Sequence, residues 1–289
     1  MPAALGAIVA SGFTSNEPVR LALAVGAVVA VVTAVVGTFT VVRGQSFAGE
    51  ALADLGATGG AASFLAGVAP IWGFVGATVV AAGAMELIGV QRARGRDLAT
   101  GIVLGAGLGL TALLLYLVTT TTGASGATVT ILFGSLFTIA TSTLPIAAAL
   151  GVAALGLVAL AWRPLVLASA SPELAAARGV HLRLVGALYL LALALAVALA
   201  AVTIGAILST ALLVGPAATA ARMSRRPGRA AAGAAAIGIA ATWLGILLAY
   251  DSYDWPPLHH GWPVSFFVVG LVFVAYLASG PLARRGARG

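Results

Sequence analysis

Apolar stretches of about twenty residues alternate with short polar or glycine- and proline-marked breaks along almost the whole chain. The breaks leave nine such stretches, at 21–42, 48–68, 70–90, 98–119, 141–162, 184–202, 204–221, 230–250 and 263–282. A helix needs about 20 mainly apolar residues to cross a bilayer. The pattern therefore predicts an all-α, polytopic transmembrane helical bundle of about nine spans, in a single domain covering residues 1–289. Tight joins at Gly67–Pro70 and Thr203–Gly205 make the spans on either side antiparallel hairpins. The opening segment Met1–Phe13 is apolar but too short to span. It lacks the basic start and clear cleavage site of a signal peptide, so it reads as an interfacial lead-in.

Composition agrees with the pattern. Of 289 residues, 61% are hydrophobic and 8% charged, against roughly 25% charged in soluble domains. The 37 glycines and 12 prolines would damage soluble helices, whereas neighbouring helices in a membrane bundle satisfy the backbone groups they free. Gly101, Gly105 and Gly109 recur at four-residue spacing on one helix face, which favours close helix packing.

Charge adds orientation. The net charge of +7 comes from short arginine clusters between apolar runs, not from the contiguous basic face that nucleic-acid binding requires. Cytoplasmic loops retain positive charge. If the first span runs inward, every arginine except Arg20 falls on the cytoplasmic side, and Glu17, Asp251 and Asp254 fall outside. The expectation is a bacterial inner-membrane protein with its N-terminus outside and its C-terminus in the cytoplasm, in contact with lipid and with no nucleic acid.

Some chemistry is excluded outright. Without cysteine there are no disulfides or thiolate metal sites, and without lysine there is no Walker A phosphate loop. Any ATP-driven work belongs to another chain. No catalytic constellation lies within the spans, which argues for a transport subunit rather than an enzyme. The paired repeats expected of a secondary transporter are not evident.

Three segments carry candidate function. Between the fifth and sixth spans, Ser171 is placed as an N-cap, Pro172 at the first helical position, Glu173 at the positive end of the dipole and Gly179 at a left-handed stop. This predicts a two-turn cytoplasmic helix near 171–179, with Leu174, Ala175 and Arg178 between the caps. It is either a surface connector or a lever that docks on a motor protein. In the second span, Glu50 and Asp54 are four residues apart and so share a helix face. Asp54 sits about 9 Å along a span starting near Ala48, where a charge costs about 2.5–3.5 kcal/mol unless it faces the bundle interior or a wet path. Glu50 also suits a helix start, where the dipole favours an anion. The outer loop Asp251–Trp262 gathers His259 and His260 with two carboxylates and two tryptophans. It reads as an aromatic interface belt, with metal capture by the histidines as the weaker alternative. His181 reads as a solvated loop residue.

Three stretches resemble the permeases of ATP-binding-cassette importers for zinc, manganese and iron: Arg43-Gly-Gln-Ser-Phe-Ala-Gly-Glu-Ala-Leu-Ala53, Ser171-Pro-Glu-Leu-Ala through Gly179-Val180, and Gly205 to Arg222. The resemblance implies a homodimeric or paired permease that binds no cofactor itself, with ATP and magnesium held by a cytoplasmic ATPase subunit that grips the 171–179 helix. It also implies an extracytoplasmic solute-binding protein and a divalent metal ion moving past Glu50 and Asp54. The family pattern has aspartate and, four residues on, histidine. Glutamate and aspartate here replace a borderline nitrogen ligand with a hard oxygen, which weakens the case for zinc more than for manganese. A permease for metal chelates of the siderophore type is the alternative.

Overall fold

The computed structural model describes residues 16–88, 96–134, 136–138, 141–224, 226–255 and 261–286. Every regular element among them is helical: α1 Glu17–Val42, α2 Ser46–Leu65, α3 Pro70–Ile88, α4 Arg96–Thr122, α5 Ser125–Phe133, α6 Thr143–Ala170, α7 Pro172–Ala177, α8 Leu182–Ile204, α9 Ala206–Met223, α10 Pro227–Asp251 and α11 Val264–Gly286, with single 3-10 turns at Leu136–Thr138 and Ser252–Asp254. The lead-in expected at Met1–Phe13 lies outside the described residues.

Seven of these helices are long and apolar enough to cross a membrane: α1, α3, α4, α6, α8, α9 and α10. The expected count of about nine is slightly more than the seven that qualify by length and composition among the described residues. The stretches read as spans at 48–68 and 263–282 are helices α2 and α11, but neither meets both conditions. α2 carries Glu50 and Asp54, and the apolar part of α11 is the shorter segment Val264–Gly280. α2 is polar because it is sheltered, packed against α3, α4, α8 and α9. A helix screened from hydrocarbon can carry groups that a lipid-facing helix cannot.

α1, α8 and α9 form the centre. Val25, Val29, Val32 and Val36 of α1 are fully buried with Leu190, Leu193 and Leu199 of α8 and Leu212 and Leu213 of α9. α10 and α6 pack on α1, α3 and α6 on α8, and α11 on α9 and α10. Several polar side chains in this core are hydrogen-bonded within it. The Thr33 and Thr38 hydroxyls each donate to a carbonyl one turn back at 2.8 Å, and the buried Tyr189 hydroxyl donates to Thr40 Oγ1 at 2.9 Å. Pro164 in α6 and Pro216 in α9 are accommodated inside long helices, as the bundle allows.

The connections have definite chemistry. At the α1–α2 turn Gly44 has φ 62°, Gln45 N–H donates to the Thr40 carbonyl and Gly44 N–H to that of Val41. This is the Schellman pattern, which satisfies two carbonyls that the helix end leaves over. The long loop expected between the fourth and fifth spans contains α5, too short to span. α5 ends at Gly134, whose backbone abuts that of Thr203–Gly205 at the α8–α9 break. Both glycines have positive φ; a Cβ on Gly134 would fall on the Thr203–Gly205 backbone, and one on Gly205 on the Leu132–Phe133 backbone.

Candidate metal-ion path and cytoplasmic helix

Glu50 and Asp54 lie on α2 as expected, one turn apart. Asp54 is 6% exposed, and its Oδ2 is buried with no hydrogen-bond partner among the described residues. Glu50 is half-buried. The helix that covers Asp54 is α4. At Gly107 the α4 backbone comes so close that a Cβ there would lie 3.3 Å from Asp54 Cβ and 3.3 Å from Leu55 Cγ. Thr111, one turn further along α4, donates to the Asp54 carbonyl at 2.8 Å, and Thr58 Oγ1 lies 2.7 Å from Thr111 Oγ1. The seam is therefore polar and closely packed, with its backbone satisfied and one carboxylate oxygen left over. A buried polar atom without a partner is costly and calls for an explanation in function.

Among the described residues no three histidine, cysteine or acidic side chains converge to hold a metal ion. Within this chain the acid pair is a two-residue site offering only oxygen. Sequence reasoning missed Thr58 and Thr111. Thr58 had a signal, since it follows Glu50 and Asp54 at the next four-residue step on the same face. Thr111 had none, because its partner lies on a helix distant in sequence. Glu86 on α3 was also missed, and its Oε2 is buried without a partner.

The second candidate is α7. The Ser171 side chain accepts from Leu174 N–H at 3.3 Å, Pro172 opens the helix and Glu173 lies in its first turn. At the other end Gly179 has φ 78°, Val180 N–H donates to the Ala175 carbonyl at 3.0 Å and Gly179 N–H to that of Ala176 at 2.9 Å. The caps fall where the sequence placed them. Only Ala175 is buried; Pro172, Glu173, Leu174, Arg178 and Gly179 are exposed. α7 is thus fixed in shape by its caps and held to α6 and α8 at one residue, with the rest of its surface open.

The third candidate divides. His259 and His260 lie outside the described residues. The flanking part forms an aromatic cluster, with Trp262 and Phe266 ring centres 5.5 Å apart and Trp255 edge-on to Phe267 at 5.9 Å. Asp251 Oδ2 accepts from Trp255 Nε1 at 3.0 Å, so this carboxylate is tied to the cluster. His181 is exposed, just before α8.

The chain is similar to known proteins over most of its length. The manganese transport system membrane protein MntC of Listeria monocytogenes is 28% identical over 242 residues, covering 83% of this chain and 84% of that protein. The high-affinity zinc uptake system membrane protein ZnuB of Haemophilus influenzae is 29% identical over 206 residues, covering 71% of this chain and 78% of that protein. Among solved structures, PsaBC from Streptococcus pneumoniae in complex with Fab superposes with a TM-score of 0.75 at 25% identity, over 94% of each chain. Residues 15–277 match the ABC 3 transport family. That stretch takes in the α2–α4 seam and the capped α7 together, and the chain belongs to the ABC 3 transport family.

Proposed function

We propose that this chain is the membrane-spanning permease subunit of an ATP-binding-cassette importer, moving a divalent metal ion past the α2–α4 seam, manganese in preference to zinc. The observation that carries the reading is Asp54, a carboxylate buried at a helix seam with one oxygen unpartnered and a second carboxylate one turn away. Relatives named for manganese and for zinc transport support the divalent ion. The oxygen-only donors support the harder of the two. Glu50 and Asp54 provide charge and ligands while the ion exchanges its water shell for protein oxygens.

With no lysine for a phosphate loop, the chain takes its power stroke from a separate ATPase subunit, and the exposed α7 is the surface offered to it. With α2 and α11 crossing as well, the arginine distribution supports a reading in which the α1–α2, α6–α8 and α9–α10 connections are cytoplasmic and the N-terminus is outside. An external binding protein delivers the ion to the opposite face. The permease works as a homodimer or a pair, as a two-residue site that needs further ligands favours.

The test is manganese and zinc uptake by the assembled transporter carrying Asp54→Asn or Glu50→Gln. Asp54→Asn keeps the volume and removes the charge. Uptake should fall about tenfold or more, the scale on which metal-site changes act, while the ATPase still co-purifies. Wild-type uptake of both ions in both variants would show that the pair is structural.

A further inference from the structure

We propose that Thr111, paired with Thr58, is a positioning residue of the acid site, a hydroxyl latch that holds α4 over Asp54 and sets how deeply the carboxylate is buried. The inference rests on the reading of Asp54 as part of the ion path.

The latch joins two hydroxyls and two backbone carbonyls. Thr111 Oγ1 donates across the seam to the Asp54 carbonyl at 2.8 Å. Thr58 Oγ1 lies 2.7 Å from Thr111 Oγ1, 3.1 Å from the Asp54 carbonyl oxygen and 3.3 Å from that of Gly107. Each hydroxyl has one proton and two acceptor lone pairs. With the Thr111 proton on the Asp54 carbonyl, the Thr58 proton goes to Thr111 Oγ1, its shortest contact. The two threonines then close a chain that ends on the backbone of the acidic residue itself.

Apart from these hydroxyls α4 is held to α2 by apolar packing, with Leu115 and Val118 buried beside Ala57 and Ala61. It packs on α2 and touches α5 and α3 only lightly. Ile102 and Tyr116 on its outer face are each 65% exposed, and Gly101, Gly105 and Gly109 have open space where a Cβ would be. Gly107 brings the α4 backbone against Asp54, and the hydroxyls keep it there. Without them nothing polar binds the cover to the residue it covers, and Asp54 becomes reachable more often.

An interhelical hydrogen bond of average strength in a membrane protein corresponds to about a threefold change in an equilibrium. Thr111→Val keeps the shape and removes the hydroxyl, and Thr111→Ser restores it. In the complete transporter, manganese uptake by Thr111→Val should show KM raised about threefold with the maximal rate little changed, and Thr111→Ser should return KM to normal. A second readout does not depend on metal. The chain has no cysteine, so Asp54→Cys reports access to that position through its rate of labelling by a small maleimide. That rate should rise about threefold when Thr111→Val is added and not when Thr111→Ser is added.

An unchanged labelling rate in Thr111→Val, or a KM that Thr111→Ser fails to restore, overturns the latch. Faster labelling together with normal uptake by Asp54→Asn would keep the latch and remove the ion path from this seam. If Thr111→Val does not assemble, Thr58→Val removes the supporting hydroxyl and should shift labelling in the same direction by about twofold. No shift in that variant also overturns the proposal.

Discussion

Two of the helix crossings at which a glycine sits in close contact differ in nearly every other respect. Where α1 meets α9, Gly37 faces the Leu213 backbone, and a Cβ there would land on the carbonyl oxygen, with Ala217 Cβ 3.5 Å away. The surroundings are apolar and sealed; Val36 and Leu213 are fully buried. Where α2 meets α4, a Cβ on Gly107 would lie 3.3 Å from Asp54 Cβ, closer than ordinary contact but short of a clash with backbone. That crossing contains a carboxylate and two hydroxyls, and α4 turns an exposed face outward. The first crossing is a rigid joint. The second buries a carboxylate with an unpartnered oxygen beneath a helix whose outer face is exposed.

Substitutions at glycines test this contrast in descending order. Gly37→Ala should have the largest effect, because backbone cannot give way. We expect a loss of more than about 3 kcal/mol, the upper range for overpacking, seen as failure to recover folded protein in detergent. Gly179→Pro probes a glycine that belongs to neither crossing. It forces φ to about −65° where the chain has φ 78° and deletes the N–H bonded to Ala176. Uptake should fall about tenfold, by loss of the helix stop, while the protein still inserts. Uptake at the normal rate with the ATPase bound would reject α7 as the coupling element.

Gly107→Ala should do less, since the new methyl would need only a few tenths of an ångström. Folding should be weakened by about 1 kcal/mol or less, yet manganese KM should rise about threefold as α4 is pushed off Asp54. A fall in thermal stability with unchanged KM would make the two crossings alike. Gly109→Ala points into open space and should leave uptake unchanged, with helix stability equal or higher by up to about 1 kcal/mol. A loss of uptake there would show that the outer face of α4 is covered by something the transporter needs.

Local chemistry was readable from the sequence, and non-local chemistry was not. The helices follow from hydropathy because a bilayer imposes one length on every span. The ends of α7 follow from Ser171, Pro172 and Gly179 because a cap acts within a turn. The shared face of Glu50 and Asp54 follows from helical spacing. α5 was hidden because nine residues between Gly123 and Gly134 give no span-length signal. The role of α2 was half visible: its acids mark it as unusual, but that α4 rather than α3 covers Asp54 depends on packing. Thr111 is an ordinary apolar-helix threonine until Asp54 is found opposite it. The two stretches that fall short of the length-and-composition criteria are α2, which carries two acids, and α11, whose apolar segment Val264–Gly280 is short.

The backbone contact between Gly134 and Gly205 orders events in time. Synthesis delivers α5 before α8 and α9 exist, and α5 cannot bridge the bilayer alone. Its C-terminal end has no seat until Thr203–Gly205 has entered the membrane. During biogenesis the α4–α6 region therefore waits, incompletely docked, for a hairpin made later. A chain stalled between α6 and α8 would leave the C-terminal end of α5 without this contact, held only where α5 packs on α2 and α4.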